Sequence, residues 1–145
     1  MKKIRMMVSA AAVCALLNGC VWHDYSNPAI EGIVTNKGQA LPGVRVALSA
    51  YDEVIEETRT DANGHFSLKA RGEWSVFIPI GPQDRVTHWS VLLYPEETET
   101  MTGYEQGGIG GFFSGYSSGD RVKLNCDIAR YRGKTDRYAL SGVCQ

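Results

Sequence analysis

What the sequence is short of narrows its chemistry first. It has three histidines, His23, His65 and His88, and none opens a His-x-x-Glu or His-Glu-x-x-His arrangement, so the usual zinc-hydrolase ligand set is missing. Glycine is plentiful, yet no Gly-Lys-Ser/Thr step closes the glycine-rich stretch, which excludes a P-loop. The phrase GFFSGYSSG carries serines but is glycine-rich rather than a nucleophile elbow, and no Asp-His pair is evident from spacing. Glu56 and Glu57, like Glu96 and Glu97, are adjacent, and neighbours on a strand point to opposite faces, so neither pair flanks one bond. No enzyme is expected, and no cofactor or metal.

Basic residues are scarce where a nucleic-acid binder needs them. Of 15 Lys and Arg, Lys2, Lys3 and Arg5 stand at the very start, so the rest of the chain is outnumbered by 16 Asp and Glu. The densest later group, Arg130, Arg132, Lys134 and Arg137, is interrupted by Tyr131, Gly133, Thr135 and Asp136 and reads as a solvated turn. A basic stripe able to release phosphate counterions is absent, so no nucleic-acid partner is expected.

The N-terminal segment has the tripartite form of a secretory signal: MKKIR, an apolar stretch from Met6 to Leu17, then small or polar residues. The stretch is shorter than the ~20 apolar residues of a bilayer-crossing helix. Leu17, Asn18, Gly19 and Cys20 resemble a bacterial lipobox, with Asn18 a less usual second residue. The resemblance implies a diacylglycerol thioether on Cys20, cleavage after Gly19 and acylation of the new amino terminus. Each buried methylene is worth about 0.8 kcal/mol, so two or more chains make a stable anchor. Val21, rather than an aspartate, follows Cys20, which resembles the pattern of lipoproteins sorted to the outer membrane in enteric-type bacteria. The implied location is the envelope, on the outer membrane facing the periplasm.

With Cys14 removed in the signal and Cys20 committed to lipid, Cys126 and Cys144 remain as an even pair in an oxidising compartment. A disulfide is the natural expectation, ahead of two free thiols or a shared metal.

VWHDYSNP, residues 21 to 28, has no period and ends in an Asn-Pro step, so residues 20–28 are expected to be a lipidated tether. Trp22 and Tyr25 would rest at the membrane interface or cover the domain edge. Past Pro28 no apolar period near 3.6 is sustained, and strands are expected instead. AIEGIVT (29 to 35) and VRVALSAY (44 to 51) flank the turn NKGQALPG, with Val44, Val46 and Leu48 inward and Arg45, Ala47 and Ser49 outward. EETRTD and GHFSLKA around DANG suggest a hairpin with Phe66 and Leu68 on one face. In GEWSVFIPIG, Trp74, Val76 and Ile78 share a side opposite Phe77, and Pro79 belongs at an edge. THWSVLLYP, TETMTGYE, DRVKLNCDI and RYALSGVC complete the series.

QGGIGGFFSGYSSGD, residues 106 to 120, reads as a long loop, and its rings Phe112, Phe113 and Tyr116 are the candidate contact for a protein partner.

Residues 30–80 resemble the carboxypeptidase regulatory-like domain. The match rests on IEGIVTNKGQALPGVRVAL, with Gly32, Val34, Gly38, Leu41, Pro42, Gly43, Val44 and Val46, and on TRTDANGHFSL, with Thr60, Asp61, Gly64 and Phe66. The resemblance implies an all-β, transthyretin-like or Ig-like antiparallel sandwich of about seven to eight strands over residues 29–145, following a signal peptide at 1–19. Gly38 and Gly43 would take positive φ in a crossing turn, and the valines would fill the inter-sheet core. Asp61 and Asn63 would bond nearby amides in a turn, a role favoured over a calcium site.

The function expected is a non-catalytic, lipid-anchored protein that binds or scaffolds another envelope component, held to the membrane through Cys20. The alternatives are a type VI secretion accessory lipoprotein, a hydrolase-inhibitor or immunity lipoprotein, and a carbohydrate-binding module stacking sugars on Trp74, Trp89 and Tyr94.

Overall fold

The computed structural model describes residues 21–76, 81, 84–96, 99–111, 114–131 and 142–145. Cys20 and the rest of the signal segment, Phe77, Ile78 and Pro79, Phe112 and Phe113, and Arg132, Lys134 and Arg137 lie outside the described residues. The strands are β1 (Val21–Tyr25), β2 (Ala29–Asn36), β3 (Gln39–Ala40), β4 (Arg45–Ala50), β5 (Glu53–Arg59), β6 (His65–Leu68), β7 (Gly72–Val76), β8 (Arg85–Tyr94), β9 (Met101–Gly110) and β10 (Arg121–Asp127), with a 3-10 turn at Ile128–Arg130.

They assemble as an all-β sandwich. One four-stranded sheet has β2 between β10 on one edge and β3 and β6 on the other; the second four-stranded sheet has the order β5-β4-β8-β9. A single core cluster draws Ile30, Val34, Phe66, Leu68, Leu124 and Cys126 from the first sheet and Val46, Leu48, Trp89, Val91, Leu93 and Met101 from the second. Two inner faces that share one core are what a sandwich is. The period of two in β4 puts Val46 and Leu48 into that core as expected. Ala47 and Ser49, expected outward, are buried as well, both being small side chains on an inner strand of the sheet.

The stretch around DANG is a crossing rather than a hairpin. β5 pairs with β4 in one sheet and β6 with β2 in the other, so the chain changes sheets between Arg59 and His65. The residues of the 30–80 signature hold two such crossings together. Thr60 is buried; its hydroxyl donates to the Leu41 carbonyl at 2.6 Å and accepts from the Val44 amide at 2.9 Å, while the Gly43 amide donates to the Thr60 carbonyl at 3.0 Å. Gly43 and Gly64 take φ of 76° and 78° in the crossing turns, whereas Gly38, expected in a crossing, has φ 82° in the tight hairpin turn with Lys37 that joins β2 to β3 within one sheet.

Among the described residues one strand pair is parallel. The Ala29 amide donates to the Asp120 carbonyl at 3.0 Å, so β2 and β10 start side by side, and they run together from Ala29↔Arg121 to Thr35↔Asp127. Residues 106–110, expected as loop, extend β9 to Gly110 opposite Arg85.

Residues 143–145 close the remaining side of the sandwich. Val143 and Cys144 donate to the carbonyls of Thr102 and Gly103 on β9, and Asn125 and Gln145 exchange bonds of 2.9 and 3.1 Å on β10. Cys144 lies opposite Cys126, and the two are joined as a disulfide. This short segment therefore bridges an edge of each sheet.

Candidate functional site

β1 is a strand and not a tether. It pairs antiparallel with β7 in a two-stranded ribbon, from Val21↔Val76 through His23↔Trp74 to Tyr25↔Gly72. Trp22, Tyr25 and Trp74 supply the aromatic content that makes so short a ribbon pair, which residues 21 to 28 alone do not advertise. Three ties fix it to the sandwich. The Tyr116 amide donates to the Tyr25 carbonyl at 3.2 Å, the Ser26 amide to the Arg71 carbonyl at 2.9 Å, and buried Asn27 donates from Nδ2 to the carbonyls of Pro28 and Lys69 at 2.8 and 3.1 Å.

Where β1 meets residues 115–120, a cleft is lined by Trp22, His23, Asp24, Tyr116, Ser117 and Asp120. Asp24 is buried and forms an ion pair with Arg85 at the start of β8, the partner a buried carboxylate requires. Gly115 lies so close to Asp24 that a Cβ there would collide with the carboxylate oxygen. Residues 115–119 have Gly-x-Ser-x-Gly spacing, but Ser117 leads through a turn into β10 and not into the helix an elbow uses. Its amide donates to Asp120 Oδ2 at 2.6 Å, while the His23 ring sits against Trp74 at 5.0 Å and Tyr25 at 4.7 Å. Among the described residues no hydrogen bond joins His23 to Ser117 or Ser118. The cleft thus holds the residue types of a hydrolase without the nucleophile-to-base contact that activates one.

The other singled-out residues disperse. Tyr116, expected at a partner surface, packs against the core, where its hydroxyl accepts the indole N–H of Trp89 at 2.9 Å. That bond turns the ring inward, because a buried indole needs an acceptor. Of the three rings proposed for sugar stacking, Trp89 is buried, Tyr94 lies under the Arg45 guanidinium at 3.8 Å, and Trp74 alone is well exposed, at 74%. They form no common platform. His23 lies in the ribbon, His65 on β6, and His88 on β8, bonded to Glu105 at 2.8 Å. Among the described residues no three His, Cys, Asp or Glu gather as metal ligands.

Asp61 does take the turn role. Its Oδ1 accepts the amides of His65 at 2.9 Å and Asn63 at 2.8 Å, and these bonds, His65 first, hold the carboxyl below its ordinary pKa. The adjacent carboxylates Glu56 and Glu57 serve separate partners, Arg71 and Arg45.

Sequence reasoning missed the outward face of the ribbon. Val21, His23, Trp74 and Val76 are all exposed on it. The signal was present as apolar or aromatic residues at i and i+2 in both segments, but the pairing that brings them together was not.

No family model matches the chain, and no curated protein matches it. Among solved structures, the chain is similar to the 5-hydroxyisourate hydrolase of Klebsiella pneumoniae, at 12% identity over 68% of this chain and 87% of that chain, with a TM-score of 0.35. No site residue is carried across from a likeness of that size.

Proposed function

We propose that the chain is a non-catalytic, lipid-anchored protein of the cell envelope, with a carboxypeptidase regulatory-like sandwich that binds or scaffolds another envelope component. The observation that carries this reading is the position of β1 in the chain. β1 starts at Val21, one residue after the lipobox cysteine, and is tied into the sandwich through Asn27 and Tyr116. Cleavage after Gly19 would remove the signal and leave this strand whole. A lipid on Cys20 would then hold the sandwich at the membrane surface with no free linker between them.

The commitment of charged groups supports the non-catalytic part. Asp24 is neutralised by Arg85, Asp61 caps a turn, and Glu57 pairs with Arg45. These carboxylates are engaged in holding the fold.

The test is the intact mass of protein extracted from its native membranes, beside a Cys20→Ala variant. The expected mass is that of residues 20–145 plus acyl chains, falling to an unacylated species in the variant. An unacylated wild-type mass overturns the anchoring. Affinity capture from envelope extracts then tests the scaffolding: specific recovery of an envelope component supports it, and recovery of none overturns it.

A further inference from the structure

The ribbon of β1 and β7 has two faces of different character. By strand alternation Trp22, Asp24, Glu73 and Ser75 share one face and Val21, His23, Trp74 and Val76 the other. The first carries buried Asp24, paired with Arg85, with Trp22 and Ser75 half-buried and Glu73 exposed. The second faces solvent, with Val21 51%, Trp74 74% and Val76 60% exposed. Both carboxylates of the ribbon, Asp24 and Glu73, fall on the first face, which leaves the outward row without an acidic group. The His23 ring packs edge-to-face on its cross-strand partner Trp74, with planes at 81°, and the indole is still left 74% exposed.

We propose that this outward row, Val21, His23, Trp74 and Val76, is a membrane-contact face that seats in the phospholipid headgroup region. The inference rests on the lipid anchoring of Cys20 proposed above. Consecutive Cα atoms are only about 3.8 Å apart, so an acylated Cys20 brings Val21 to the bilayer surface directly. Val76 is the cross-strand partner of Val21 and arrives with it, and Trp74 follows two residues on. Ties at Asn27, Tyr116 and Arg85 keep the ribbon from swinging clear. A tryptophan with an apolar body and one N–H donor suits the interface between acyl chains and water. A row this small binds weakly by itself. It acts with the acyl chains as a second attachment that sets how the sandwich stands on the membrane.

The experiment uses the acylated full-length mature protein, its acylation verified by mass, in vesicles of phosphatidylethanolamine and phosphatidylglycerol with brominated acyl chains. Tryptophan fluorescence is compared between the wild type and Trp74→Phe, with the unfolding midpoint of each confirming an intact fold. We expect bromine quenching in the wild type, loss of most of it in Trp74→Phe, and protection of Trp74 from aqueous iodide at every protein-to-lipid ratio. Equal quenching in the two proteins, or an acylated wild type that stays unquenched and open to iodide, overturns this inference and leaves the anchoring intact. Iodide protection that develops only at high protein density, without bromine quenching, marks a second copy on the row and also overturns it. An unacylated mass overturns the anchoring and this inference together.

Discussion

The indole N–H of buried Trp89 donates to the phenol oxygen of Tyr116 at 2.9 Å, joining the middle of β8 to the segment that leads into β10. Deleting the hydroxyl leaves a buried donor without its acceptor. Tyr116→Phe is therefore expected to cost about 1–3 kcal/mol. Tyr104 also packs on Trp89, at 5.4 Å between ring centroids, but its hydroxyl meets Gln106 at an exposed position. Tyr104→Phe should change stability little. Urea unfolding of both variants checks this, the midpoint moving for Tyr116→Phe with an unchanged slope.

Gly64 and Gly38 separate backbone strain from crowding. Both have positive φ, 78° and 82°, but a Cβ on Gly64 would come 2.6 Å from the Val34 carbonyl oxygen, while one on Gly38 meets nothing within 4 Å. Gly38→Ala should lose about 1–2 kcal/mol, the left-handed penalty alone. Gly64→Ala should lose clearly more, measured by the same denaturant titration.

Asp61 makes stability depend on pH in acid. Its folded-state pKa lies below the ordinary value of 3.8, because the amides of His65 and Asn63 favour the charged form. The unfolded chain therefore binds this proton at a higher pH than the folded one. Asp61 stabilises fully above the unfolded value and loses that contribution as pH falls through the folded one. Thermal unfolding of Asp61→Asn should show a flatter decline of midpoint below about pH 4 than the wild type. A parallel decline in the two proteins would refute it.

Reducing the Cys126 to Cys144 disulfide frees a loop with a sequence separation of 18, worth about 3 kcal/mol on the chain-entropy model. Residues 143–145 bond to both β9 and β10, so loss of the tie should first loosen the side of the sandwich they close. Amide exchange with and without reductant is expected to rise most at Asn125, Asp127, Cys144 and Gln145, whose amides form that seam. Uniform acceleration across β4 and β8 would instead mean global unfolding.

Local pattern carried much of the fold. The alternation of Val44, Val46 and Leu48 and the turn role of Asp61 follow from spacing and side-chain chemistry, while the pairing of Cys126 with Cys144 follows from the export signal and lipobox resemblance that set Cys14 and Cys20 aside. What escaped was pairing between distant segments. A hairpin and a crossing both need a tight polar turn, and DANG satisfies either; the choice falls to β4 and β2, which claim β5 and β6 separately. β1 is illegible in sequence because its partner lies about fifty residues away along the chain, and a five-residue strand shows little period by itself. Glycines in 107–110 suggested a loop, yet the long ladder with β8 overrides their weak strand preference. Tyr116 looked like a surface ring until Trp89 supplied a reason to turn it inward.

The parallel partnership of β2 and β10 governs the order in which the chain can be completed. Glu31 and Arg121, bridged across those strands, are 90 positions apart. A ribosome therefore delivers β2 long before its neighbour exists. Throughout that interval one side of β2 offers a bare row of amides and carbonyls, the kind of template that captures foreign strands. Such distant pairing also makes folding slow once synthesis ends. The sheet edge left open longest during synthesis is thus one that the finished sandwich covers.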